Sequence, residues 1–126
     1  FVLVPLCFLL INVAAGNRCP TYTARKEWYS SFNEFLNPAL EWDPGLSSDA
    51  CNEARGIVAS NAPHKFIAEK TFASGGSVPV MIGETLMDGL QDETQTENVR
   101  NLPPHTKYGC NSYFEGNLVK VVCVYK

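Results

Sequence analysis

Two histidines and a carboxylate that follows a glycine, His64, His105 and Glu84, carry the side chains best suited to chemistry. Imidazole and carboxylate are ordinary zinc ligands, and a catalytic zinc needs three of them plus an open position. Their spacing argues against such a centre. There is no H-E-x-x-H pair and no other fixed interval, and the interval carries most of the specificity of a metal motif. The bland alternatives are a Glu84 carboxylate hydrogen-bonded to backbone at a strand end and a solvated His64 in the turn after Pro63. Ser47, Ser48 and Ser112 lie outside any G-x-S-x-G turn, so no serine hydrolase is indicated. A cysteine nucleophile is disfavoured because the cysteines are better explained as bridged. The reading is no catalytic residue, no metal site and no cofactor.

The bridges follow from the last stretch of the chain, Tyr108 to Lys126. Two runs rich in β-branched and aromatic residues flank Glu115-Gly116-Asn117, and Gly-Asn is a hairpin turn signal because both residues tolerate positive φ. With Gly116 and Asn117 as the loop, Glu115 faces Leu118 and, counting outward, Cys110 faces Cys123. That position is a non-hydrogen-bonded pair, where Cα atoms approach to about 4.5 Å, near the short end of what a disulfide accepts. A disulfide-clamped hairpin is expected.

At the other end, residues 1–16 are uncharged and apolar and finish in small residues, Ala14-Ala15-Gly16. This pattern reads as a signal peptide cut after Gly16 or a neighbouring small residue, and entered partway because no Met or basic stretch precedes it. It is shorter than the ~20 residues of a membrane-spanning helix, and no later segment approaches that length. Cleavage would remove Cys7 and leave Cys19, Cys51, Cys110 and Cys123. An even set in a short secreted chain reads as a disulfide framework. The hairpin takes one pair, leaving Cys19–Cys51. The net charge of −3 over 126 residues argues against nucleic acid or an anionic membrane as a partner. There is no Asn-x-Ser/Thr sequon.

Between these ends the pattern gives two helices and then weakens. Thr21 or Thr23 can cap a first helix, in which Trp28, Tyr29, Phe32, Phe35 and Leu36 form one apolar stripe, read as a core face, before Asn37-Pro38 ends it. Leu40-Glu41-Trp42 reads as a short extended link. Asp43-Pro44 supplies an N-cap and an N1 proline for a second helix, with Leu46, Ala50, Ala54, Ile57 and Val58 on its buried side. Lys65 to Ala68 is a short apolar element of undecided type, and Ser74 to Ser77 is a loop. Val78 to Ile82 reads as a strand edge or start because of Pro79. Residues 91–98 are polar and acidic without a hydrophobic period, read as a solvated loop or frayed helix.

In this order the pieces resemble the CAP superfamily of cysteine-rich secretory, antigen-five and pathogenesis-related class-one proteins, most of all the nematode activation-associated secreted proteins. Ala39-Leu-Glu-Trp-Asp-Pro-Gly-Leu46 is similar to the family's L-x-W-D-x-x-L link into its second helix. Ile82-Gly-Glu-Thr-Leu86 is similar to G-E-N-L with Thr85 in place of Asn, and Gly109-Cys110 with Val121-Val-Cys-Val-Tyr125 to the closing strands, with Val124 in place of Asn. The resemblance implies an α+β fold, an α-β-α sandwich over residues 17–126 with the two closing-strand cysteines paired. It implies a secreted, non-enzymatic protein that binds an extracellular protein or lipid. The runner-up is a metal-dependent hydrolase using a residual His/Glu cavity. Of the family's two-His, two-acid cavity, Glu84 corresponds to the G-E-N glutamate and His64 to the first histidine by order. The second acid has no match, and His105 stands too close to Cys110 for the histidine of H-[FY]-T-Q. Family members place a further helix and that strand where only Met87 to His105 is available here. The chain is therefore either a shortened, degenerate member or lacks a segment. On a clamped scaffold, the loops Ala73 to Ser77 and Asp88 to Asn98 would be the contact surfaces.

Overall fold

The computed structural model describes Cys19 and residues 23–126. The signal-peptide reading of residues 1–16 and the Thr21 cap lie outside the described residues, and Thr23 is the first helical residue. Helix α1 (Thr23–Leu36) is followed by β1 (Glu41–Trp42), α2 (Pro44–Ala54), β2 (His64–Thr71), α3 (Val78–Gly89), α4 (Glu93–Arg100), β3 (Lys107–Glu115) and β4 (Leu118–Tyr125).

The hairpin has the register that its turn dictates. Gly116 has φ 59°, Glu115 pairs with Leu118, and Cys110 pairs with Cys123 with their Cα atoms 4.0 Å apart. β4 also pairs antiparallel with β2, and β3 pairs parallel with β1, so the sheet order is β1-β3-β4-β2. β4 is thus an inner strand covered on both faces, which is why its sequence is a near-continuous apolar run interrupted by Lys120.

Alternation along the strands sends side chains to two separate layers. Tyr108, Cys110, Val119, Val121, Cys123 and Tyr125 face α1, α3 and α4, whereas Val122 and Val124 face Leu46, Ala50 and Ala54 of α2. The architecture is an α-β-α sandwich with a disulfide-clamped C-terminal hairpin, the α+β class expected. Full burial of one such valine contributes about 1.5–3 kcal/mol, and four valines of β4 are buried. α2 sits so close to β3 that a Cβ on Gly109 would lie 2.2 Å from the Ser47 nitrogen.

Four sequence expectations need correction. Residues 78–82 are not a strand edge but the start of α3. Ser77 caps it by accepting from the Val80 N–H, and Pro79 stands in the first turn, where a missing donor costs nothing. Of the two readings of residues 91–98, solvated loop or frayed helix, the helix is present, with Asp92 capping α4 through the Gln95 N–H. What needs correction is its solvation, since Thr96 and Val99 turn inward. Their burial comes from packing beneath β2, which no local period announces. α2 stops at Ala54 because Gly56, at φ 71°, turns the chain, so Ile57 and Val58 are exposed instead of buried. The aromatic stripe of α1 splits: Tyr29, Phe32, Asn33 and Leu36 are buried, while Trp28 and Phe35 are exposed. The undecided Lys65–Ala68 segment is part of β2, with Phe66 and Ala68 buried.

Candidate functional site

The three residues singled out for metal chemistry do not come together. His64 opens β2 opposite Tyr125, exposed to solvent. Glu84 projects from α3 as an exposed side chain, not from a strand end, and acts electrostatically on Lys70, near the other end of β2. His64 and Lys70 stand six positions apart along that strand, or about 20 Å at an extended rise of ~3.3 Å per residue. His105 contacts the Glu41 carboxylate through Nδ1 at the opposite sheet edge, where its φ of 68° marks the turn into β3. Among the described residues, no three His, Cys, Asp or Glu side chains gather to hold a metal ion. As placed, His64, Glu84 and His105 do not fit a zinc centre.

The edge contact is electrostatically tuned. The Lys107 ammonium donates to Glu41 Oε1 at 2.9 Å, and this bond, followed by that to His105, holds the Glu41 carboxyl below its ordinary range. On the other side of the sheet, burial pushes the Tyr125 phenol well above its usual range, so it remains a donor. The serines are structural: Ser47 Oγ donates to the Cys110 carbonyl at 2.7 Å, and Ser112 shares a hydrogen with the Tyr29 hydroxyl. Cys19–Cys51 and Cys110–Cys123 are both disulfides, and neither leaves a thiolate.

A different site is present. Between α1 and α3 runs an open, mainly apolar groove of about 670 Å³. Its walls include Trp28 (43% exposed), Phe35 (69%), Val80 (51%) and Met87 (60%). These are four of the six large exposed hydrophobic side chains among the described residues, so the exposed apolar surface is concentrated here. Phe32 closes the floor against Phe66. Gly83 lets the Trp28 ring lie on α3: a Cβ there would approach the ring to 3.3 Å. At the rim Lys70 Nζ is paired with Asp88 Oδ2 at 2.6 Å, which raises the lysine pKa, and Glu84 stands beside them.

Sequence reasoning placed Glu84 in a cavity and gave Trp28 and Phe35 to the core; it did not find the groove. The available signal was the face Tyr29, Phe32, Asn33, Leu36 at i, i+3, i+4 and i+7, which leaves Trp28 and Phe35 together on one flank of it. Lys70 and Asp88 come from separate elements, and no local spacing joins them.

The described residues form an α-β-α sandwich clamped by two disulfides. The chain is similar in fold to Ac-ASP-7 in its manganese-bound form, with a TM-score of 0.62 and 18% identity over 86% of this chain and 71% of that one. It is also similar to the Ancylostoma-secreted protein Ac-ASP-7 (TM-score 0.59, 19% identity, 85% and 70% covered). A third similarity is to the hookworm platelet inhibitor (TM-score 0.58, 13% identity, 86% and 72% covered). No curated protein matches the chain. Residues 28–126 match the model of the 15 kDa excretory/secretory protein family, and the chain belongs to that family. It is a secreted, extracellular protein.

Proposed function

We propose that this chain is a CAP-superfamily protein that works outside the cell by binding a protein or lipid partner, without enzymatic turnover. The observation that carries this reading is the gathering of exposed apolar side chains in the α1–α3 groove. Such a surface is the usual mark of a binding site. The dispersal of His64, Glu84 and His105 supports the same reading, because removing ligands also removes the field that would lower a bound water's pKa. The manganese-bound Ac-ASP-7 and the hookworm platelet inhibitor stand for the two alternatives, a metal-holding protein and an inhibitor. Calorimetric titration with zinc and with manganese at neutral pH, on wild type and on Glu84→Ala, tests the reading. No saturable heat is expected. Micromolar or tighter binding lost in Glu84→Ala would overturn it in favour of a metal-dependent hydrolase.

A further inference from the structure

We infer that the α1–α3 groove receives a short amphipathic helix of a partner protein, apolar on its inner face and basic at the flank that meets Glu84. The inference rests on the binding reading above and names its partner class. Trp28 and Phe35 are seven residues apart on α1, as are Val80 and Met87 on α3. At 1.5 Å per residue each wall is about 10 Å long, two helical turns, the span of anchors at i, i+3 or i+4, and i+7. The flexible Met87 and the flat rings of Trp28 and Phe35 can adapt to varied apolar anchors.

Charge selects among occupants. The groove's lining holds two carboxylates, Glu84 and Asp88, and one ammonium, Lys70. Lys70 is already engaged by Asp88, and Glu84 has no ion pair within 4 Å among the described residues. One negative charge is left at the rim. A fatty-acid carboxylate would meet that charge with its natural counter-ion already taken. A second copy docking by the same face would bring the same acidic rim against its own. A lysine or arginine on a docked helix is attracted instead. Because a rim charge sets partner choice and encounter rate more than tightness, affinity would come from the aromatic walls and preference from Glu84.

The test is fluorescence anisotropy with two labelled designed helices, identical in their leucine face, one flanked by lysines and the other by glutamates. The lysine peptide should bind saturably and at least threefold more tightly than its twin, with the gap closing as salt rises. Glu84→Lys should reverse the preference, and Phe35→Ser, an exposed position whose folding circular dichroism can verify, should weaken both peptides tenfold or more. Equal binding of the two peptides, or no binding of either, overturns the inference. So does groove-dependent dimerisation in sedimentation, abolished by Phe35→Ser. Binding of cis-parinaric acid lost in Phe35→Ser, with neither peptide bound, also overturns it but leaves the broader binding reading intact. Zinc- or manganese-dependent ester turnover abolished by Glu84→Ala would remove that reading and the inference together.

Discussion

The Tyr125 hydroxyl donates a hydrogen bond to Asn33 Oδ1, joining the inner strand of the sheet to α1 where both side chains are fully buried. The same asparagine sends its amide to the Tyr29 carbonyl at 2.9 Å and toward the sulfurs of Cys110 and Cys123 at 3.4 and 3.7 Å. One polar side chain thus ties helix, hairpin and disulfide together. Tyr125→Phe leaves Oδ1 without its donor and should cost about 1–3 kcal/mol, the penalty for an orphaned buried group. Asn33→Leu combined with Tyr125→Phe should cost less than the sum of the two single changes, since neither partner is then left unpaired. Urea unfolding of the four proteins measures the coupling; strict additivity would contradict the link.

The two disulfides should contribute unequally. In the chain-entropy model the 32-residue separation of Cys19–Cys51 gives about 3.7 kcal/mol and the 13-residue separation of Cys110–Cys123 about 2.9 kcal/mol. Cys110 and Cys123 are also fully buried and contact Asn33. Their double alanine variant adds a packing loss that reverses the order, so it should unfold at the lower denaturant concentration. Peptide mapping without reduction should recover both linked pairs.

Gly109 and Gly116 should respond oppositely in mechanism and in size. At Gly116 the φ of 59° strains any side chain but nothing lies within 4 Å of the added Cβ, so Gly116→Ala should cost about 1–2 kcal/mol. Gly109→Ala drives a Cβ into the α2 backbone, and α2 must lift off the sheet. Soluble yield and thermal midpoint should drop sharply for Gly109→Ala and only modestly for Gly116→Ala.

The Glu41 carboxyl should titrate below the ordinary glutamate range in carbon-detected NMR, and Lys107→Met should move it back further than His105→Ala, because the lysine bond is the larger cause. A carboxyl depressed in the folded state contributes stability above its unfolded pKa, about 4.3, and that contribution disappears as pH falls through the folded pKa. Because the group is exposed, salt should diminish the shift.

How much could be read beforehand followed from how local each signal is. The Gly116-Asn117 turn fixed a register of eight residue pairs, and Asp43-Pro44 fixed the start of α2, since both act within a few residues. Pro79 was ambiguous because proline suits a strand edge and a first helical turn alike; Ser77 before it, as N-cap, was the deciding residue. Thr96 and Val99 of α4 owe their burial to β2 and could not be read from a polar segment. The groove is a relation between α1 and α3, written in neither helix alone.

The last prediction separates the site from the core within one helix. Phe32 and Phe35 are neighbouring aromatics on α1, and a sequence stripe assigns both to packing. Phe32 is 8% exposed and packs on Phe66 with ring centroids 5.1 Å apart, whereas Phe35 opens to solvent in the groove. Phe32→Ala should therefore cost about 3–5 kcal/mol, the transfer loss plus a cavity under the sheet. Phe35→Ser should change stability by no more than about 0.5 kcal/mol, as for an ordinary surface position. If Phe35→Ser destabilised the fold as much as Phe32→Ala does, the ring would be a packing residue and the groove would not be an open surface. Chemical denaturation of the two variants side by side decides the point, because exposed rings retained without a stability role are free to serve a partner.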